Sequence, residues 1–445
     1  MDTSQAGKIL VLGAGPAGGA VALGLRRIGY SVCVISEPRP FAAVEGISER
    51  VVDGLRGAGF DAALKSLPAP TPRSVHWSGE SSAANTERLV IRSEFDRGVL
   101  IDLERNGVEL VSGRVRGVTR GDDGYRVEVV ADSGSRTLQG IFLVEARGRA
   151  APGSGLERLR GPETLSLLQY WAGPEMTPRT AVQSCADGWA WMAATADGRR
   201  YLQLTLDVAS ADLPPKDRLV EHCNSRIRPL EMAAPFIDGA EPTGELHART
   251  STPTLCREPV GADWIRVGDA AMAVDPLSGN GIFQSLSSAM QAPAVINTLL
   301  QQPQRAGLAR AFHRARIEEL FFRFARIGRD FYAQETLFAE EPFWRRRRDW
   351  PDQAPIHQAV KPRDVSIARR PVVENDLIRE AEVVVTPDQP LGIWHLQGLP
   401  LAPLLRALRS ARPGENPEHL LAAVLGEKKA LAPQLLMWIR HQGWI

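Results

Sequence analysis

The sequence predicts an α/β fold, an α+β composite in which a parallel-sheet domain carries an inserted β-sheet domain and the chain ends in a small helical module. Three observations predict it. A strand–glycine turn–helix–strand pattern opens the chain, strand signals dominate residues 160–254, and three short amphipathic helical patterns follow a proline-rich stretch after residue 351. At 445 residues the chain exceeds one ordinary core, and domains run at roughly 100–200 residues each. We divide it at 1–159, 160–254, 255–350 and 351–445.

Lys8–Leu12 is a short apolar run of the kind a buried strand presents. Gly13 to Gly18 then open a helix running to about Arg27, closed by Gly29, and Ser31–Ile35 is a second buried strand. Residues 106–149 read as a three-stranded meander and a further strand, with turns at Gly121–Gly124 and Asp132–Gly134. Trp189–Leu206 reads as a hairpin around Asp197-Gly198. Trp264–Val267 is the next strand, followed by a glycine-rich loop, a helix from about Gly281 and an amphipathic helix over Leu308–Phe324. Pro351, Pro355, Pro362 and Pro371 mark a linker, and Leu401–Leu408, His419–Leu425 and Leu431–Ile439 are helical patterns of a winged-helix-like module.

Composition narrows the function. The chain has 53 basic and 52 acidic residues, a net charge of +1, so it has no global field for nucleic acid or an anionic bilayer. Arg345–Arg348 is a local exception, which we read as a solvated helix end or a partner contact. Cys33, Cys185, Cys223 and Cys256 show neither zinc spacing nor a disulfide framework. No apolar run is long enough for a membrane span, and the N-terminal residues lack the pattern of a signal peptide. The expectation is a cytoplasmic protein with buried thiols, no metal site, no nucleic-acid partner and no membrane partner.

Gly13-Ala14-Gly15-Pro16-Ala17-Gly18 matches G-x-G-x-x-G between a strand and a helix. In such a Rossmann-type turn the first glycine permits the tight bend, the second lets the backbone approach a pyrophosphate, and the third lets helix and strand pack closely. The helix N-terminus, with Pro16 and Ala17 in its first turn, faces the anion. The acid expected at the second strand end is replaced by Ser36, with Glu37 one residue beyond. We take Glu37 as the ribose partner, with Ser36 the alternative.

A second constellation follows: Gly268-Asp269-Ala270-Ala271, then Asp275-Pro276-Leu277-Ser278-Gly279-Asn280-Gly281-Ile282. With both motifs in this order the chain resembles the FAD-dependent aromatic hydroxylases, flavin halogenases and geranylgeranyl reductases. The resemblance implies a Rossmann-type FAD-binding domain in which Asp269 holds the ribityl chain. It places Pro276, Gly279, Asn280, Gly281 and Ile282 against the isoalloxazine, with the following helix aimed at the ring. Val90–Asp96 resembles the family's arginine-containing segment beside the cofactor and puts Arg92 there. Glu145-Ala146-Arg147-Gly148-Arg149 resembles its Asp-Ala-x-Gly-Arg turn, with glutamate for aspartate, and Glu45–Ser48 resembles the segment after the second strand.

Trp189-Ala190-Trp191 is similar to the halogenases' W-x-W-x-I-P motif, but Ala193 and Ala194 stand where Ile-Pro belongs. Lys65 is the only lysine in the stretch where the halogenase lysine falls, and its flanks do not match. Core packing and an aromatic substrate pocket both remain open for Trp189 and Trp191. His76 and Trp77 are further pocket candidates, and the catalytic base is unassigned. The resemblance implies hydroxylation of an electron-rich aromatic ring through a flavin C4a-hydroperoxide, with O2 as co-substrate and NADH or NADPH as transient reductant. Ser36–Phe41, Asp275–Ile282, the Trp344 segment and the extra C-terminal module together resemble the flavoproteins that hydroxylate a peptidyl tryptophan in quinohemoprotein amine dehydrogenase maturation. The implied partner is then a peptide or protein precursor, that enzyme's small subunit. A small-molecule reductase, a halogenase and a flavin-stabilised scaffold for a precursor are the alternatives.

Overall fold

The computed structural model describes residues 7–39, 41–279 and 281–445. Ile9–Leu12 is the middle strand of a five-stranded parallel sheet, flanked by Phe142–Glu145 and Val32–Ser36, with Trp264–Arg266 and Glu109–Ser112 at the edges. Leu10 sits opposite Leu143 and Cys33. The three inner strands are covered on both faces, which is why they read as apolar runs. The helix Pro16–Arg27 connects the first two. The meander Arg114–Gly121, Gly124–Ala131, Gly134–Gly140 follows the predicted turns and packs Tyr125, Val127 and Val129 onto Leu10, Leu12 and Ile35. All four cysteines are free, and burial pushes the Cys33 thiol up to about 12.

The second sheet has eight strands, in the order Glu241–Thr250, Thr164–Ala172, Arg199–Asp207, Gly188–Ala194, Arg179–Cys185, Thr71–Trp77, Glu80–Ile91, Val44–Ile47. It therefore recruits strands from residues 44–91 as well as from the 160–254 stretch. Its two faces follow the period of two. Ala190, Met192 and Ala194 face the helices Leu219–Ile227 and Ala234–Ile237, closing a core with Cys223, Ile227 and Phe236. Trp189, Trp191 and Ala193 face the other way, toward Tyr170, Tyr201, Tyr332, Phe343 and Trp344.

Two expectations are corrected here. The helix predicted over Leu308–Phe324 runs from Ala306 to Ala333, because arginines at 323, 326 and 329 interrupt the apolar pattern without interrupting the backbone. The arginine run is a solvated end only in part: in the helix Pro342–Arg348, Arg345 and Arg346 are exposed, but Arg347 is 2% exposed and bonds the equally buried Asp207 at 3.0 Å.

The chain divides into two compact units, residues 1–296 with 317–354, and residues 297–316 with 355–445. In the second unit the three predicted helices appear as Leu401–Arg409, Pro417–Leu425 and Ala432–His441. The stretch read as linker is instead partly a hairpin, Ser366–Glu374 paired with Leu377–Val385. Asn375 and Asp376, both with positive φ, make its two-residue turn. Val384, Leu401, Leu405, Leu421 and Ile439 form this unit's core.

Candidate functional site

The site is built where the parallel strands end. Gly13 has φ +107°, and a Cβ there would lie 2.6 Å from the Ala146 carbonyl oxygen; at Gly18 it would lie 1.9 Å from the Gly13 oxygen. Both positions are closed by the chain's own backbone. Gly15 differs: its φ is −68°, open to any residue, and a Cβ there would meet nothing within 4 Å. The protein leaves space over Gly15 at the N-terminus of the helix Pro16–Arg27, a setting whose free N–H groups and dipole suit an anion. Pro16 and Ala17 are buried in its first turn. The second strand ends at a half-buried Ser36, and Glu37 is exposed just beyond it.

The Gly268-Asp269 turn packs onto this same helix, since a Cβ at Gly268 would lie 2.7 Å from that of Ala17. The Gly268 amide donates to Ser288 Oγ at 2.8 Å, and Ser285 Oγ donates to Asp269 Oδ1 at 3.3 Å. Both serines stand on the helix Gly281–Ala289. Arg149 lies 3.6 Å from the Asp269 carboxylate and donates to the Thr252 and Val274 carbonyls. Asp269 keeps a third of its side-chain surface accessible. Burial raises its pKa, against the pull of Arg149. A carboxylate so placed suits hydroxyl donors from a ligand.

The structure therefore brings Gly13, Gly15, Pro16, Ala17, Gly18 and Asp269 together. The loop from Pro276 continues into the helix that holds Asp269; Gly279 and Gly281 both open onto free space, and Ile282 is buried. Asn280 lies outside the described residues. Arg92 is buried at the start of the helix Arg92–Arg105, bonded to Glu45 at 2.5 Å and Asp96 at 2.8 Å. Burial disfavours its charge, but the two carboxylates more than offset this and raise its pKa.

The aromatic candidates separate. Trp77, Trp189 and Trp191 share one sheet face and one cluster. His76 pairs with Gln183, on the opposite face, where Gln183 accepts from the Met232 amide. Its Nδ1 is 2.7 Å from Ser81 Oγ and its Nε2 is 3.8 Å from Glu231, so it stands apart from the tryptophans. Both indole N–H groups are occupied: Trp191 donates to Glu87 at 3.3 Å, and Trp189 to Tyr332 Oη at 3.3 Å. Tyr332 in turn donates to Asp275 Oδ1 at 2.8 Å. Sequence reading left Glu87 and Asp275 without roles of their own, and it gave the segment Phe331–Glu335, which looks halogenase-like, only that of packing the C-terminal helix. The one available signal was Asp275-Pro276, an acid capping a turn, and its carboxylate does accept from the Leu277 amide at 2.9 Å. Lys65 is exposed at the end of the helix Asp61–Lys65. No cluster of metal-ligating residues occurs among the described residues.

Comparison with known proteins places this geometry. No protein-family model matches the chain. It is similar to a tryptophan 2-halogenase of Chondromyces crocatus, 25% identical over 378 residues, which cover 77% of this chain and 71% of that protein. It is also similar to the 3-demethoxyubiquinol 3-hydroxylase of Escherichia coli, 26% identical over 321 residues, 63% of this chain and 77% of that one. The flavin-dependent halogenase CmlS shares the fold, with a TM-score of 0.77 at 17% identity over 99% of this chain and 96% of that one. The peptidyl tryptophan dihydroxylase QhpG, essential for tryptophylquinone cofactor biogenesis, superposes with a TM-score of 0.87 at 53% identity, over 99% of this chain and 100% of its own. With that identity along the whole length, the chain belongs to the superfamily of FAD-dependent aromatic hydroxylases and flavin halogenases, in the family of the peptidyl tryptophan dihydroxylase QhpG.

Proposed function

We propose that this protein is a monooxygenase that hydroxylates a tryptophan side chain within a peptide or protein precursor during quinone cofactor biogenesis. As a member of its family it is a flavoprotein oxidoreductase that uses FAD, with reduced nicotinamide and O2 as co-substrates. The observation that carries the narrower reading is the 53% identity to a peptidyl tryptophan dihydroxylase over 99% of the chain. The proposed partner is the small subunit of a quinohemoprotein amine dehydrogenase. No described helix is long and apolar enough to cross a membrane, and we place the reaction in the cytoplasm, where reduced nicotinamide is at hand.

Bound FAD supplies the oxygen-activating chemistry; the chain's residues hold it and shape the space around it. Gly13, Gly15, Pro16, Ala17 and Gly18 would hold the pyrophosphate, Glu37 or Ser36 the ribose, and Asp269 the ribityl hydroxyls. Arg92, already neutralised by Glu45 and Asp96, would contribute donors and shape rather than net charge. Pro276, Gly279, Asn280, Gly281 and Ile282 would line the flavin ring. Trp189 and Trp191, with their N–H groups engaged, present ring faces and exclude water from the reacting centre. We leave His76 out of the pocket and propose Trp77 only as part of its wall.

The test is the intact mass of the precursor peptide after incubation with this protein, FAD, NADH or NADPH, and air. A gain of one or two oxygen atoms that requires both reductant and O2 is the expected result. No gain on the peptide, with the flavin still reduced, sinks the peptidyl reading.

Asp269 gives a second expected result. Its pKa in the fold lies above its unfolded value, so its charge costs stability at neutral pH. That cost fades as pH falls through the raised value. Asp269→Asn should therefore melt higher than the parent at pH 7 without FAD, the difference closing toward low pH, while binding FAD more weakly. Unchanged FAD affinity in a titration would overturn the ribityl assignment.

A further inference from the structure

We infer that Tyr332 is a positioning residue that fixes the flavin loop to the substrate-facing wall. The inference rests on the flavoenzyme reading above and goes beyond it. Three segments distant in sequence meet in one buried chain of hydrogen bonds. Trp189, on the strand Gly188–Ala194, donates its indole N–H to Tyr332 Oη at 3.3 Å. Tyr332, near the end of the helix Ala306–Ala333, donates its hydroxyl proton to Asp275 Oδ1 at 2.8 Å. The same Oδ1 accepts from the Leu277 amide at 2.9 Å. Asp275 opens the loop that runs through Gly279 and Gly281, the two positions whose free space a flavin ring would fill.

The direction of every bond is determined. An indole nitrogen only donates, so Tyr332 Oη must accept from Trp189 and pass its own proton onward. Burial, with Asp275 beside it, holds the Tyr332 hydroxyl protonated. Trp189 and Tyr332 are 3% and 2% exposed, so bulk solvent does not reach a partner left unpaired. Packing reinforces the link. Tyr332 sets its ring edgewise to Phe343 at 5.6 Å and to Trp344 at 5.8 Å, and Trp344 meets Trp77 at 5.2 Å. The wall against which an aromatic substrate would lie and the loop against which the flavin would lie are therefore held in one frame. Catalysis of this type depends on sub-ångström placement of the reacting groups.

Tyr332→Phe keeps the ring and its packing and removes only the hydroxyl. The expected result is a folded protein whose FAD dissociation constant rises about three- to tenfold, the effect of one buried hydrogen bond. Its flavin absorption bands shift from those of the parent. With the precursor peptide, more reduced nicotinamide is consumed per oxygen atom inserted. The excess appears as hydrogen peroxide: NAD(P)H, a proton and O2 give NAD(P)+ and H2O2. Trp189→Phe, which loses only the first bond, should move the same readouts less.

A Tyr332→Phe protein with parental FAD affinity, flavin spectrum and coupling overturns the inference. So does one that melts lower while all three stay parental, since Tyr332 is then structural only. If the parent itself inserts no oxygen, the proposed function fails, and affinity and spectrum still decide the role of Tyr332.

Discussion

Gly15→Val should yield a stably folded but colourless protein, whereas Gly18→Ala should destabilise the fold itself. The two glycines belong to one motif, yet the structure gives them opposite surroundings. At Gly18 an added Cβ would sit 1.9 Å from the Gly13 carbonyl oxygen, a backbone atom that moves only if helix and turn separate. Overpacking of that kind costs about 1–3 kcal/mol, and the apo-protein should lose it. At Gly15 the same atom meets nothing within 4 Å, and φ −68°, ψ −180° is extended backbone that valine adopts without strain. The side chain then occupies only the space a pyrophosphate needs. The same 1–3 kcal/mol, charged to the ligand, is about 10- to 100-fold in FAD affinity. Melting of the apo-proteins and FAD titration separate the cases. A yellow Gly15→Val protein, or one as unstable as Gly18→Ala, contradicts the placement of the cofactor over Gly15.

This contrast also shows how far the sequence could be read. The G-x-G-x-x-G turn, the parallel strands and the Gly-Asp loop were legible because each is local: a few residues whose types are dictated by one turn or one ligand. The chain Trp189–Tyr332–Asp275 was not, because it is assembled from three segments over 140 residues of separation. The segment around Tyr332 looks halogenase-like, but that resemblance implies packing and says nothing of its hydroxyl. His76 and Trp77 illustrate the period of two: adjacent in sequence, they stand on opposite sheet faces, so proximity to a pocket-lining residue was no guide. The hairpin Ser366–Val385 was hidden by Pro371, which reads as a breaker but is tolerated opposite Glu380 because its strand is an edge strand of a two-stranded sheet. Its Val-Val-Glu-Asn-Asp-Leu-Ile turn carried the better signal.

The arginine run tests the same lesson energetically. Arg347→Met should cost about 3–5 kcal/mol, the usual result of removing one partner of a buried ion pair, and lower the melting temperature on the order of 10 °C. The Arg347 guanidinium bonds Asp207 at 3.0 Å, Thr164 Oγ1 at 2.7 Å and the Phe343 and Glu163 carbonyls, and lies 4.0 Å over the Phe343 ring. Methionine replaces the packing and none of these bonds. Asp207 is left buried with Ser210 and with Arg346, whose side chain is 47% exposed and reaches it at 2.6 Å. Arg346→Met should therefore cost less than about 1 kcal/mol, since solvent screens a half-exposed pair. Adding Asp207→Leu to Arg347→Met should recover much of the loss, because the unpaired charge is gone. Adjacent arginines on one helix would then differ severalfold through burial alone. Equal losses for Arg346→Met and Arg347→Met, or no recovery in the double variant, would mean that the buried pair does not hold this helix against the sheet.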